Sequence, residues 1–174
     1  MSKIYRHYNK NNNKKFDNNL FKKINNKFTF GTKPRGGLWG SPVDSDNGWK
    51  DWCELEEPDW INEDDYFDFK LKDDANILYL ESLEDVKALV ESHTEWLFTK
   101  ADIARAENAR FIRHYYMYPD PRMYTSPSIY LDFEKMLKDG IDAIEVKIFD
   151  LYSVFYGWDC DTILVMNPKA IVLV

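Results

Sequence analysis

The sequence predicts an α+β fold, and three observations predict it. Tyr66 to Leu71 alternates, with Phe67, Phe69 and Leu71 opposite Tyr66, Asp68 and Lys70, which is the period of a half-buried strand. Ser82, followed by Asp85 and by Val86, Leu89 and Val90, has the cap and the spacing of an amphipathic helix. Three short apolar segments, Ala143 to Val146, Thr162 to Met166 and Ala170 to Val174, gather after mixed elements, which points to at least partly antiparallel pairing.

The remaining elements follow in order. Ile4 to Tyr8 reads as a first strand and Asn9 to Lys15 as a polar loop. Phe16, Leu20, Phe21 and Ile24 are spaced like the apolar face of a short helix, and Gly31 to Gly37 is read as a turn-rich loop leading into Leu38. Trp49, Trp52 and Cys53 lie on one side of a predicted helix, and Asn76 to Leu80 forms another strand. Lys100 to Arg113 is read as a helix and Tyr115 to Pro127, with three prolines, as an ordered loop. Asp132 caps a helix carrying Phe133, Met136 and Leu137, with Gly140 as its terminator.

Composition bounds the function. A chain of 174 residues with 44% hydrophobic and 16% aromatic content suits one domain over residues 1–174 with a real core. Two cysteines, Cys53 and Cys160, make neither a disulfide framework nor a zinc pattern, and three scattered histidines make no metal cluster. The start lacks the apolar stretch of a signal peptide, and no run reaches the roughly 18 apolar residues of a membrane span, so a cytoplasmic, reducing location is expected. A net charge of -7 and a pI near 5.0 argue against a broad nucleic-acid-binding face.

Two stretches concentrate chemistry. Asp159 and Asp161 precede the apolar run Thr162 to Met166, and strand alternation puts both carboxylates on one face. Such a pair builds an active site or keeps a strand end soluble, and both readings stand. Cys160 between them is read as a small apolar residue pointing to the core, since flanking carboxylates suppress its thiolate. The second stretch is Gly31-Thr32-Lys33-Pro34-Arg35-Gly36-Gly37-Leu38-Trp39-Gly40-Ser41-Pro42. Its glycines let backbone approach a ligand, Lys33 and Arg35 can neutralise a diphosphate, and Trp39 can stack on a flat ring. It has neither the spacing of a P-loop nor that of a dinucleotide fingerprint, and a simple Gly-Gly turn with Trp39 in the core is the alternative. His93, His114 and the tyrosines at 115, 116, 118 and 124 read as packing or surface residues, the tyrosines also as a recognition surface.

In their order along the chain, Ile4-Tyr5-Arg6, Gly36-Gly37-Leu38-Trp39-Gly40-Ser41, Gly140 to Val146, Trp158-Asp159-Cys160-Asp161 and Met166-Asn167-Pro168 resemble the motifs of ADP-ribosyltransferases. The match covers both ends of the chain and leaves Phe67 to Ser128 uncovered. The resemblance implies a split β-sheet core with peripheral helices and NAD as co-substrate. Arg6, with His7 as the competing neighbour, would hold an NAD phosphate or ribose; Trp39 would stack on nicotinamide; Ser41 would contact the nicotinamide ribose or amide, with Lys33 and Gly37 alongside. Asp161 would be the catalytic acid and Asp159 would address the acceptor. The family usually has Glu at the position of Asp161, and Glu145 is a further carboxylate that could supply the acid.

The function so implied is transfer of ADP-ribose to a macromolecular target, a protein above all, as in phage counter-defence effectors and toxins. Two alternatives are NAD hydrolysis and a non-catalytic acidic binder whose segment from Asp44 to Asp85 imitates nucleic-acid phosphates.

Overall fold

The computed structural model describes residues 3–9, 16, 21–98 and 128–174. Its strands are β1 (Tyr5–Tyr8), β2 (Lys22–Phe30), β3 (Lys33–Pro42), β4 (Tyr66–Leu71), β5 (Ile77–Leu80), β6 (Ala143–Val146), β7 (Thr162–Val165) and β8 (Ile171–Leu173). The α-helices among the described residues are α1 (Trp49–Glu56), α2 (Leu83–Ser92) and α3 (Phe133–Lys138). Together they make an α+β fold around one curled sheet. The predicted helix over 100–113, the loop over 115–127 and His114 lie outside the described residues.

The strand order is β5-β6-β7-β3-β1-β4-β8, with β2 paired to β3 as well. Every pairing is antiparallel except that of β5 with β6. The long strand β3 organises the sheet. Its first half pairs with β2 and its last two residues with β1, while Leu38 to Gly40 pair with β7.

Alternation along these strands divides the side chains between two cores. Tyr5, Leu38, Phe67, Phe69, Ile163 and Val165 fill one face of the sheet. Ile24, Phe28, Ile144, Leu164, Trp158, Phe133 and Met136 fill the other, under α2 and α3. Both helices carry the caps read from sequence. The Ser82 side chain accepts from the Asp85 amide at the start of α2, and that of Asp132 accepts from the Lys135 amide at the start of α3. Past α3, Gly140 takes the left-handed conformation, with φ of 96°.

Two expectations are corrected. The short helix expected through Phe21 and Ile24 is replaced by β2. Here Ile24, Asn26 and Phe28 share one face, and Ile24 and Phe28 are buried. Asn26 breaks the apolar pattern, yet it sits comfortably because its amide donates to Asp132 and its carbonyl accepts from the Glu134 amide at the foot of α3. Likewise the loop expected from Gly31 to Gly37 is only a turn at Gly31 and Thr32, after which β3 begins. Gly36 and Gly37 have φ of 85° and 68° inside that strand, where its pairing with β2 shifts register. A Cβ on Gly37 would lie 2.5 Å from Leu164 Cδ1, so the glycine is what lets β7 pack against β3.

Candidate functional site

The cross-strand pair Arg6–Ser41 places both side chains on the same face of the sheet. The neighbouring strand puts Asp68 opposite Arg6 on its other side. Asp68 grips the guanidinium with both oxygens, from Nε at 2.7 Å and Nη2 at 2.8 Å, and the Tyr66 ring lies 3.7 Å below the guanidinium carbon. This bidentate, stacked arrangement fixes the plane of Arg6 and raises its pKa further, the hydrogen bonds to Asp68 being the largest cause.

Ser41 performs a structural task as well. Its Oγ accepts from the Trp49 amide at 2.9 Å, which ties the first residue of α1 to the end of β3. The result is a cavity of about 140 Å³ lined by Arg6, Tyr8, Ser41, Ser45, Gly48 and Trp49. A drug-sized pocket is roughly 300–1,000 Å³, so this cavity admits one ring or one phosphate of a larger ligand.

Of the other candidate residues, Lys33, Trp39, Asp159 and Asp161 lie outside this lining. Trp39 is half-buried, donates its indole N–H to the Gly36 carbonyl at 3.2 Å, and meets Trp158 edge to face at 4.9 Å. Lys33 Nζ lies 4.9 Å from the Trp39 ring centre and 5.9 Å from that of Trp49, and 3.8 Å from Asp159 Oδ2. Asp161 accepts from the Ile148 amide at 2.9 Å and from Ser45 Oγ at 2.8 Å, and that serine lines the cavity.

Asp159 and Asp161 precede β7 rather than lying in it, and their carboxylates turn to different partners. Strand alternation does not apply to them, so the shared face expected from sequence is not what organises the pair. Cys160 points inward as expected. It is 3% exposed, its Sγ is 3.3 Å from Thr162 Oγ1 and 3.7 Å from Ser41 Oγ, and burial is the main cause that raises its pKa.

Arg6 faces the cavity and His7 does not. The His7 ring packs on Phe67 at 5.2 Å, and its Nδ1–H donates to the Trp39 carbonyl at 2.6 Å. Glu145 also lies on the face opposite the cavity; at 2% exposure it accepts from the Tyr5 hydroxyl at 2.6 Å and pairs with Lys3. Asp65, 1% exposed, has no hydrogen-bond partner on either side-chain oxygen among the described residues. His93 stacks on Trp96 at 4.0 Å, a packing role. Among the described residues, no three His, Cys, Asp or Glu side chains come together as metal ligands.

Burial holds the His7 imidazole below its ordinary pKa of 6.5, against smaller opposing contributions from Trp39, Asn9 and Asp65. The unfolded chain therefore binds more protons than the folded one once the pH drops below the unfolded value. Stability due to the neutral ring is complete above pH 6.5 and is lost as the pH falls through the lowered folded value. Urea denaturation at stepped pH should show a decline below about pH 6.5 that is shallower in His7→Gln. Parallel profiles for both proteins would assign the acid sensitivity to other groups.

Sequence reasoning missed Asp68, Tyr66, Ser45 and Trp49 as parts of this site. Asp68 and Tyr66 occupy the outward phase of an alternating strand, which is the one signal they carry. What the fold and the site define is an α+β domain with a small polar cleft, built where a clamped arginine on β1 meets the N-terminus of α1. No family model, curated protein or solved structure matches the chain. No helix among the described residues is long and apolar enough to cross a membrane.

Proposed function

We propose that the curled sheet is an ADP-ribosyltransferase-like split sheet, that the cleft takes NAD, and that the chain transfers ADP-ribose to a protein target. The observation that carries this reading is the convergence of residues far apart in sequence. Arg6 and Ser41 line one cavity, Asp161 reaches it through Ser45, and Lys33 lies between Trp39 and Trp49 beside it.

The cavity has room for one ring or one phosphate of the dinucleotide. Arg6 and Lys33 supply positive charge for phosphate, and the exposed part of Trp39 offers a flat apolar surface for nicotinamide. Ser41 offers its hydroxyl to a ribose. In the reaction the bond from the ribose anomeric carbon to the nicotinamide nitrogen breaks, and nicotinamide leaves with the bonding pair. The sugar carries positive charge until a nucleophile of the acceptor adds to the same carbon and loses its proton. Asp161, aimed by two hydrogen-bond donors, is the carboxylate that stabilises this charge. Asp159, paired with Lys33, is the group nearest in sequence that can address the incoming acceptor.

Calorimetry with NAD tests the reading. Saturable binding is expected, weakened about tenfold or more in Arg6→Ala and in Trp39→Ala. Nicotinamide release followed in the same samples separates transfer from hydrolysis, through labelled protein against free ADP-ribose. No binding at millimolar NAD would overturn the proposal.

A further inference from the structure

Three tryptophans have no place in either core. Trp49 and Trp52 stack on one side of α1 with ring centres 5.0 Å apart, and Trp60 packs against them at 6.4 and 5.9 Å. None of the three belongs to either buried cluster, and Trp60 is 46% exposed. Partly exposed indoles gathered outside both cores mark a recognition patch, since exposing them costs hydrophobic free energy that burial in a core would recover.

The charge around them is one-sided. From Asp44 to Asp65 the chain has ten acids and one lysine, a net charge of -9, so the other residues together carry +2 to reach the total of -7. Glu54, Glu56, Glu57, Asp59, Glu63 and Asp64 of this stretch are exposed. The protein's own lysines show what such a surface attracts. Lys50 Nζ lies 2.8 Å from Glu63 and 3.5 Å from Glu54, and Lys33 Nζ approaches the Trp49 ring.

We propose that α1 and the turn after it are the docking surface for a lysine- or arginine-rich segment of a partner protein. Its cationic heads would lie over the indole faces and pair with the flanking carboxylates, a combination that a diffuse acidic surface lacks. Nucleic acid is repelled by the same charge. The surface adjoins the cleft, because Trp49 lines both, so a docked segment would hold a side chain at the mouth of the cavity. The inference stands on this surface and needs no NAD.

The test uses the whole chain without NAD, at about 150 mM salt so that long-range attraction is screened. A short lysine/arginine-rich peptide and a glutamate-rich peptide of equal length are titrated by tryptophan fluorescence and calorimetry. The basic peptide is expected to bind saturably and the acidic one not at all. Trp60→Ala, the most exposed of the three and so the least costly to folding, should weaken binding about fivefold or more, and Trp60→Tyr should restore much of it. Neutralising Glu54, Glu57 and Asp59 to their amides should weaken it comparably. The same treatment of Glu84 and Glu91 on α2 should leave it unchanged. Undiminished binding by Trp60→Ala, equal loss from the α2 substitutions, or no binding of the basic peptide would each overturn the proposal.

Discussion

Asp161→Asn is expected to keep NAD binding and to lower turnover about 10²–10³-fold. The substitution removes the charge that would face the cationic sugar but retains an oxygen for the Ile148 amide, while the Ser45 hydroxyl can accept from the new amide instead of donating. The fold should therefore survive. Asp161→Ala is different, because it leaves the Ile148 N–H without its acceptor and unties Ser45. A loss of about 1–3 kcal/mol in stability should accompany its loss of turnover. Nicotinamide release and thermal unfolding, measured on both variants, separate the two roles. If Asp161→Asn turns over as fast as the wild type, the residue only ties loops together, and the catalytic assignment fails.

The second large effect is on stability. Trp158 is fully buried and meets Trp39 at 4.9 Å, Phe155 at 5.3 Å and Phe133 at 6.3 Å. Trp158→Ala should cost about 3–5 kcal/mol, a large part of the 5–15 kcal/mol that typically holds a domain folded. It also removes the ring against which Trp39 is set, so the cleft should loosen before the chain unfolds globally. Trp158→Phe should cost much less. It keeps an aromatic ring there and removes an indole N–H that has no hydrogen-bond partner among the described residues. Urea midpoints rank the three proteins, and equal destabilisation by Ala and Phe would show that the indole shape, rather than buried area, is what the site requires.

Much of the fold was legible because the governing interactions are local. The alternation at Tyr66–Leu71, the box between Ser82 and Asp85, and the Asp132 cap each act within a few residues, and each stands where the sequence puts it. Where a residue's partner is distant, sequence reasoning failed. The segment with Phe21 and Ile24 read as a short helix because what holds Asn26 in a strand beside them, its bonds to Asp132 and the Glu134 amide, lies more than a hundred positions away. Lys33 to Gly37 looked like a loop because its glycines serve a register shift and the close approach of Leu164, neither of which the local sequence expresses.

The site divides in the same way. That one of Arg6 and His7 faces the cleft follows from strand alternation, a local rule; which one does was decided by the sheet's two cores. His7 joins Phe67 on one face, and Arg6 meets Asp68 and Ser41 on the other. The acids at 159 and 161 could be seen as a pair in the sequence. Only the packing of the segments around Lys33, Ser45 and Ile148 gave each a separate partner. The sequence by itself determined the α+β class, most of the elements and the charge of the α1 segment, since periodicity, capping and net charge depend on near neighbours or on counts. The tertiary structure decided the strand register, the clamp on Arg6 and the gathering of Trp49, Trp52 and Trp60 outside both cores. Those depend on which distant backbones hydrogen-bond, and one residue of slip would turn every side chain on a strand to the other face.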